Sequence, residues 1–339
     1  MDAEPQPLVD AQGRRVDYLR LSVTDRCDLR CLYCMGTAVR FVPRSEVLSL
    51  EELHQVAAGF VALGVRKVRI TGGEPLLRRG VLGLARRLGA IEGLEELVMT
   101  TNATQLARCA RELRAAGVQR LNISLDTLDA ERFRRLTGSP RLARVLEGID
   151  AALRVGFTRI RLNTVAMRGR NEDEILPLVD FALARGLDIC FIEEMPFGRA
   201  PGGNQGEVFM PSEEVRALIE QRYALEGARL RPSGGPSREW QVVGSATRVG
   251  FISPHSSCFC PSCNRVRVNA EGLLLPCLGH EGAVDLRSIL RAGGEEVTVQ
   301  GRLQAGIRTA LASKPAHHEF AAPESGQPQV IRNMSATGG

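Results

Sequence analysis

No apolar run in the sequence approaches the roughly 20 residues that a helix needs to cross a bilayer, which argues against a membrane protein. The first residues, MDAEPQPLVDAQGRRVDY, lack both the apolar core of a secretory signal and the acid-poor character of a transit peptide. A cytoplasmic location is therefore the expectation. No block of like charge is present either: 44 basic residues against 39 acidic ones leave a scattered net charge of +5. Neither nucleic acid nor a membrane surface is expected as a partner. A G-x4-G-K-[ST] loop is also missing, so a phosphate group here cannot use that device. General disorder is excluded, because 44% of the 339 residues are hydrophobic and 24% charged. A chain of that length buries a full core and suits one large domain or two smaller ones.

Cysteine, by contrast, is plentiful. Disulfides are disfavoured in a reducing compartment, so clustered thiols point to metal or redox chemistry. Seven of the nine cysteines fall in two groups: Cys27, Cys31, Cys34, and Cys258, Cys260, Cys263, Cys277. Cys109 and Cys190 stand alone and read as small buried hydrophobes.

From about residue 50 to 195 one phrase recurs: amphipathic helix, glycine, short apolar strand. In the first repeat Leu53, Val56, Ala57 and Phe60 share one helical face. Gly64, Gly117, Gly156 and Gly186 stand where a helix end favours a left-handed residue. With LRLSVT at 19–24 and LEELVMTT at 94–101, about six βα units result. Such alternation means a parallel sheet, open or rolled toward a barrel, with its active site at the strand C-termini. The pattern breaks after Gly198: RAPGGNQGE reads as a loop, and Ser212 as the N-cap of a helix running to about Tyr223. EWQVVG, TRVGFIS and RVRVNAEGLLLPCL read as strands, with a turn at Glu271-Gly272. The boundary is drawn between residues 1–224 and a smaller unit at 225–339. The two cysteine groups are expected to face each other across the barrel mouth.

Cys27, Cys31 and Cys34 have C-x3-C-x2-C spacing directly after the first strand. Thiolates suit zinc or iron–sulfur clusters. A structural zinc normally has four ligands, so three without an obvious fourth suggest a 4Fe–4S cluster with one iron open. The second group reads C-x2-C-x13-C from Cys260 through Cys263 to Cys277. On spacing alone it is either a zinc ribbon with Cys258 as fourth ligand or a second open cluster.

The first spacing, with Tyr33 before the third cysteine, resembles the radical S-adenosylmethionine superfamily. Thr71-Gly72-Gly73-Glu74-Pro75 resembles that superfamily's GGEP motif, whose backbone contacts the methionine amino group. YLRLSVTDRCDLRCLYCM, VRITGGEPLLRR, CNRVRV and the terminal Gly338-Gly339 together resemble the GTP 3′,8-cyclase family, over nearly the whole chain. The resemblance implies an incomplete (βα)6 TIM-like barrel with a smaller C-terminal α+β domain carrying a second cluster. Cys27, Cys31 and Cys34 would hold the 4Fe–4S cluster that cleaves S-adenosylmethionine to a 5′-deoxyadenosyl radical. Tyr33, Gly73, Ser124 and Met195 would line the S-adenosylmethionine pocket. Cys260, Cys263 and Cys277 would hold the second 4Fe–4S cluster, whose open iron binds guanine. Arg20, Arg69, Thr100, Arg161, Arg265, Val266 and Arg267 would contact GTP, as suits guanidinium groups facing a triphosphate. Arg265, Arg267, Gly338 and Gly339 form the expected catalytic group, the Gly-Gly tail resembling a segment that inserts into the pocket.

In that family the radical removes hydrogen from the ribose C3′ of GTP, and C3′ then joins guanine C8 in the first step of molybdenum cofactor biosynthesis. Implied partners are a flavodoxin-type reductase as electron donor and a downstream cyclic pyranopterin monophosphate synthase, with the chain a monomer or homodimer. Arg161 stands where relatives carry Lys, Cys190 where they have Arg, and Ala103 where they have Gly; Cys258 is an extra thiol. Arg199 is a candidate substitute for the arginine missing at Cys190. The alternatives are another two-cluster radical enzyme, such as a peptide-modifying one, and a zinc-stabilised binding module with no activity.

Overall fold

The structure, a computed structural model, describes residues 7–35, 41–195, 208–227, 235–320 and 334–338. Six parallel strands follow chain order: β1 (Tyr18–Ser22), β2 (Lys67–Thr71), β3 (Glu96–Thr101), β4 (Val118–Ser124), β5 (Arg159–Ala166) and β6 (Asp188–Glu193). Between them run α1 (Leu50–Ala62), α2 (Val81–Gly89), α3 (Leu106–Ala115), α4 (Ala130–Thr137), α5 (Leu142–Arg154) and α6 (Ile175–Ala184). This is the expected βα series, an incomplete barrel.

Helix α1 shows how the sequence builds one unit. Ser49 accepts from Glu52 N–H, and the Glu52 carboxylate accepts from Ser49 N–H at 2.7 Å, a reciprocal cap that stabilises the helix start by about 1 kcal/mol. Leu53, Val56, Ala57 and Phe60 are fully buried against the sheet, each large side chain contributing roughly 1.5–3 kcal/mol. The unit closes at Gly64 with φ +93°; Gly117, Gly156 and Gly186 repeat this at +90°, +70° and +63°.

The strands are polar on one face and apolar on the other. Leu19, Leu21, Val68, Ile70, Ile160 and Leu162 join the helix-packed core, while Tyr18, Arg20, Lys67, Arg69, Arg159 and Arg161 face a cavity inside the barrel. The period of two thus turns the barrel's charged face inward.

The C-terminal strands extend the same sheet at both edges. Beyond β6 lie β9 (Arg248–Ile252), β8 (Arg238–Val242) and β7 (Leu225–Gly227). Beyond β1 lie β10 (Arg265–Val268), β11 (Leu273–Leu275) and β12 (Val284–Asp285). β10 runs parallel to β1, with Arg267 beside Arg20, and turns at Gly272 (φ +88°) into antiparallel β11.

One expectation is corrected. Ser212 is not an N-cap but the first residue of α7 (Ser212–Glu220), whose cap position is Pro211, and the helix stops before Tyr223. Its N-terminal amide is satisfied by a distant carboxylate, Glu193 Oε1 at 2.9 Å, which no local pattern encodes. After α8 (Leu286–Arg291), the helix α9 (Glu296–Ala312) lays Leu303 against Gly59 of α1. Among the described residues no helix is long and apolar enough to cross a membrane.

Candidate active site

The barrel encloses a cavity of about 760 Å³. Tyr33, Ser124 and Met195 line it, and so do Cys260, Cys263 and Cys277. Arg20, Arg69, Thr100, Arg161, Arg265, Val266 and Arg267 line it as well. Residues from six strands, β1 to β5 and β10, and from four loops thus meet in one space.

The first thiol group lies on the loop after β1. Arg30 and Leu32 N–H donate to Thr137 and Leu136 carbonyls at 2.7 and 3.0 Å, pinning the loop to the end of α4. Gly72 and Gly73 bring the next strand end against it. Gly72 has φ +150°, and a Cβ on either glycine would collide with carbonyl oxygens of residues 24 to 26. The pair is therefore required for loop-to-loop contact as well as for an exposed backbone. Glu74 is fully buried and accepts from Asn102 N–H at 2.6 Å, Thr101 Oγ1 at 2.8 Å and Leu76 N–H at 3.0 Å. Burial raises its pKa to about 7 against those hydrogen bonds. Asp28 accepts from Asn102 Nδ2, Thr104 Oγ1 and Arg141 Nη1, each at 2.8 Å. Tyr33 donates to Asp126 Oδ2 at 2.6 Å, fixing its ring.

Cys27, Cys31 and Cys34 are free thiols. Burial pushes Cys27 up to about 11 and Cys34 to about 12, and Cys31 well above its usual value; the carboxylates of Glu74 and Asp28 add to the first, and neighbouring thiolates to the other two. Leu29 N–H and Asn102 Nδ2 already point at Cys27 Sγ, at 3.4 and 3.6 Å. Three soft, half-buried sulfurs, one of them faced by two amide donors, suit an iron–sulfur cluster, whose iron supplies the positive charge that keeps thiols deprotonated.

At the second group Cys263 differs in sign. Burial opposes its ionisation, but Arg265 and Lys314 outweigh it and lower the pKa. Lys314 is buried, and its Nζ donates to the carbonyls of Pro276 at 2.7 Å and Arg265 at 3.1 Å and to Cys263 Sγ at 3.5 Å. One ammonium thereby ties the Cys263 and Cys277 segments together. The thiols again fit a cluster.

Cationic side chains dominate the cavity interior. Glu96 pairs with Lys67 and Arg120 at 2.6 and 2.7 Å, and Glu239 with Arg159, Arg248 and Arg161 at 3.1, 3.4 and 3.5 Å. The remaining arginines meet weaker partners. Arg69 donates to Tyr18 Oη and to Thr100 Oγ1, Arg267 to the Gly338 carbonyl, and Arg265 lies 4.7 Å from the Phe259 ring centroid. Arg161 Nε is buried with no hydrogen-bond partner. Burial lowers the Arg20 pKa to about 10, with repulsion from Arg69 and Arg265 adding to it. Such a surplus of desolvated positive charge is complementary to a polyanion.

The C-terminal segment enters the same space. Residues Met334–Thr337 form a helical turn, and Ser335 N–H donates to the Cys34 sulfur. Gly338 (φ +79°) packs on Thr71, where a Cβ would meet Cγ2 at 2.5 Å, and its carbonyl accepts from Arg267. The tail therefore touches the first thiol loop and the β10 arginines at once. Gly339 and Arg199 lie outside the described residues.

Residues 21–182 match the radical SAM superfamily model, and residues 187–320 the model described as Molybdenum Cofactor Synthesis C. A curated protein of Ectopseudomonas mendocina named GTP 3′,8-cyclase is 57% identical over 334 residues, 98% of each chain. The chain belongs to the GTP 3′,8-cyclase family. GTP 3′,8-cyclase 1 of Pseudomonas aeruginosa is likewise 57% identical, over 98% of this chain and 99% of its own. A Pseudomonas putida (strain W619) GTP 3′,8-cyclase is 52% identical over the full length of both. In fold, the chain is similar to Streptococcus suis SuiB bound to S-adenosylmethionine, with TM-score 0.61 at 15% identity over 95% of this chain and 77% of that one. As a GTP 3′,8-cyclase family member it is a radical enzyme, and the non-enzymatic zinc module falls away.

Several groups that hold this site were not singled out from sequence: Tyr18, Asp28, Lys67, Asp126 and Lys314. Tyr18 and Lys67 carried a signal, since each opens an alternating polar-in strand. Lys314 carried none, as its partners are backbone atoms on distant strands. Cys190 is fully buried beside Ser237 Oγ at 3.4 Å, and Ser237 rather than Cys190 reaches the cavity. Ala103 adopts φ +61°, a left-handed residue that glycine would take without strain.

Proposed function

We propose that this chain converts GTP to 3′,8-cyclo-7,8-dihydro-GTP, the opening step of molybdenum cofactor biosynthesis, with two 4Fe–4S clusters and S-adenosylmethionine. The supporting observation is the single cavity in which Tyr33, Ser124 and Met195 share walls with three thiols and an arginine-rich face. Cys27, Cys31 and Cys34 hold the first cluster, and Cys260, Cys263 and Cys277 the second. Bound together, the first cluster and S-adenosylmethionine supply a carbon radical able to abstract hydrogen.

What the chain itself does is placement. Tyr33, Gly73, Ser124 and Met195 enclose S-adenosylmethionine. Arg20, Arg69, Arg161, Arg265 and Arg267, with Thr100, neutralise the triphosphate and hold the ribose at a fixed depth. Arg265, Val266, Arg267 and Gly338 border the reacting face and limit water there. Confinement of two substrates in one cavity converts an encounter into an effectively unimolecular step. A flavodoxin-type electron donor, delivery to cyclic pyranopterin monophosphate synthase and a cytoplasmic setting complete the proposal.

The experiment is anaerobic incubation of the reconstituted enzyme with GTP, S-adenosylmethionine and a reductant. GTP-dependent 5′-deoxyadenosine and a cyclised nucleotide are expected; 5′-deoxyadenosine at the same level without GTP would defeat the reading.

A further inference from the structure

Of the seven clustered thiols, Cys258 is the one for which the two trios leave no use, and it lies beside two further soft ligands. The sulfurs of Cys258 and Cys260 and a ring nitrogen of His317 all fall within 4.8 Å of one another. Cys258 and His317 are exposed and Cys260 is buried, so the group opens to solvent on one side. One guanidinium joins the two chain segments involved. Arg14 donates to the Cys260 carbonyl at 2.9 Å and to those of Pro315 and Ala316 at 2.7 and 3.0 Å. Asp10 in turn holds Arg14 through an ion pair of 2.6 Å. Amide donors face both sulfurs: Cys260 N–H lies 3.5 Å from Cys258 Sγ, and His318 N–H donates to the Cys260 thiol. Two thiolates and an imidazole are a zinc-type donor set, with bonds of about 2.0–2.3 Å and hence tetrahedral edges of roughly 3.4–3.8 Å. Rotation of the exposed Cys258 and His317 side chains closes the remaining distance.

We propose that Cys258, Cys260 and His317 form a zinc-type divalent-metal site, with water as fourth ligand, that shares Cys260 with the second cluster so that the two occupants exclude each other. Binding converts two thiols to thiolates and releases two protons, with no redox change. The exclusion rests on the assignment of Cys260 to the second cluster; the metal site itself does not. Zinc taken up before cluster assembly therefore blocks the second cluster and spares the first.

The test uses the full-length chain with Cys27, Cys31 and Cys34 replaced by alanine, freed of metal anaerobically and titrated with zinc against a chromogenic chelator. One equivalent is expected to bind. Cys258→Ser and His317→Gln should each weaken it by at least ~10-fold, since even a lost outer-shell partner costs that much. Cys263→Ser should leave zinc affinity unchanged within about threefold. The reverse pattern, with Cys263→Ser weakening zinc and Cys258→Ser not, overturns the proposal, as does the absence of a stoichiometric site. Both substituted ligands are exposed, so folding is preserved, which a thermal melt verifies. In a second arm the intact chain is reconstituted with iron and sulfide after zinc exposure. About four irons per chain are expected instead of about eight, with eight restored in Cys258→Ser. If the intact chain takes only four without zinc, the two-cluster reading fails, and the zinc titration still judges the metal site.

Discussion

Arg267 gives the sharpest test of how the cavity works. It is buried next to Arg20 and Arg265, whose repulsion adds to burial in holding its pKa well below the usual value, and its hydrogen-bond partner is the neutral Gly338 carbonyl. In Arg267→Met, relief of an uncompensated buried charge, about 1–4 kcal/mol, opposes loss of a charge-assisted hydrogen bond, about 1.5–3 kcal/mol. The ligand-free melting temperature should therefore stay within a few degrees of the parent. Binding of GTP should not. Removing one buried, hydrogen-bonded charge from a polyanion site costs about 2–5 kcal/mol, so affinity falls at least ~30-fold. At a GTP concentration of about 100 times the parent Kd, ligand stabilisation is about 2.7 kcal/mol. A 30-fold weaker variant retains about 0.9 kcal/mol at the same concentration. Thermal shift with and without GTP, on anaerobically reconstituted protein, reads both numbers. A variant that melts far lower without ligand yet keeps the full GTP-induced shift would show Arg267 to be structural and refute the reasoning.

Tyr18 predicts a pH dependence. Burial opposes its ionisation, but Arg69, Arg20 and Lys67 outweigh it and lower the pKa to about 7. Its folded value lies below the unfolded one near 10, so its stabilising contribution is complete above about pH 10 and fades as pH falls through 7. For a polyanion the effect is opposite: the phenolate cancels one positive charge, so GTP affinity should decline as pH rises through 7. Tyr18→Phe should lose that step, measured by calorimetry from pH 6 to 9 with the parent as reference; an unchanged profile would exclude Tyr18 as its source. Cys27→Ser should abolish reductive 5′-deoxyadenosine formation while GTP affinity, read by the same calorimetry, stays within about threefold, because Cys27 itself does not line the cavity that the guanidinium groups face; retained turnover would remove Cys27 from the ligand set. Lys314→Met removes the ammonium that ties the Cys263 and Cys277 segments and should lower iron retained at the second site by at least half, with Lys314→Arg restoring part of it. Full iron content in Lys314→Met would show the tie to be dispensable.

Local pattern was enough for much of this protein. The helix–glycine–strand repeats follow from helical spacing and left-handed caps, which act within a few residues, so six βα units could be read directly. The cysteine spacings and the GGEP segment are equally local, and they marked both thiol groups. What the sequence did not contain was which residues support those groups from afar. Glu193 caps α7 from 19 positions away, Lys314 reaches Cys263 across 51, and Asp28 meets Asn102 across 74; each pairing exists only once the sheet has set the strand order. The inward charge of the barrel was half legible, since alternation in KVRIT and RIRLN separates two faces but does not say which one faces the cavity. Helix packing on the apolar face decided that, because burying Val68 and Ile70 beneath helices leaves Lys67 and Arg69 nowhere to point but inward.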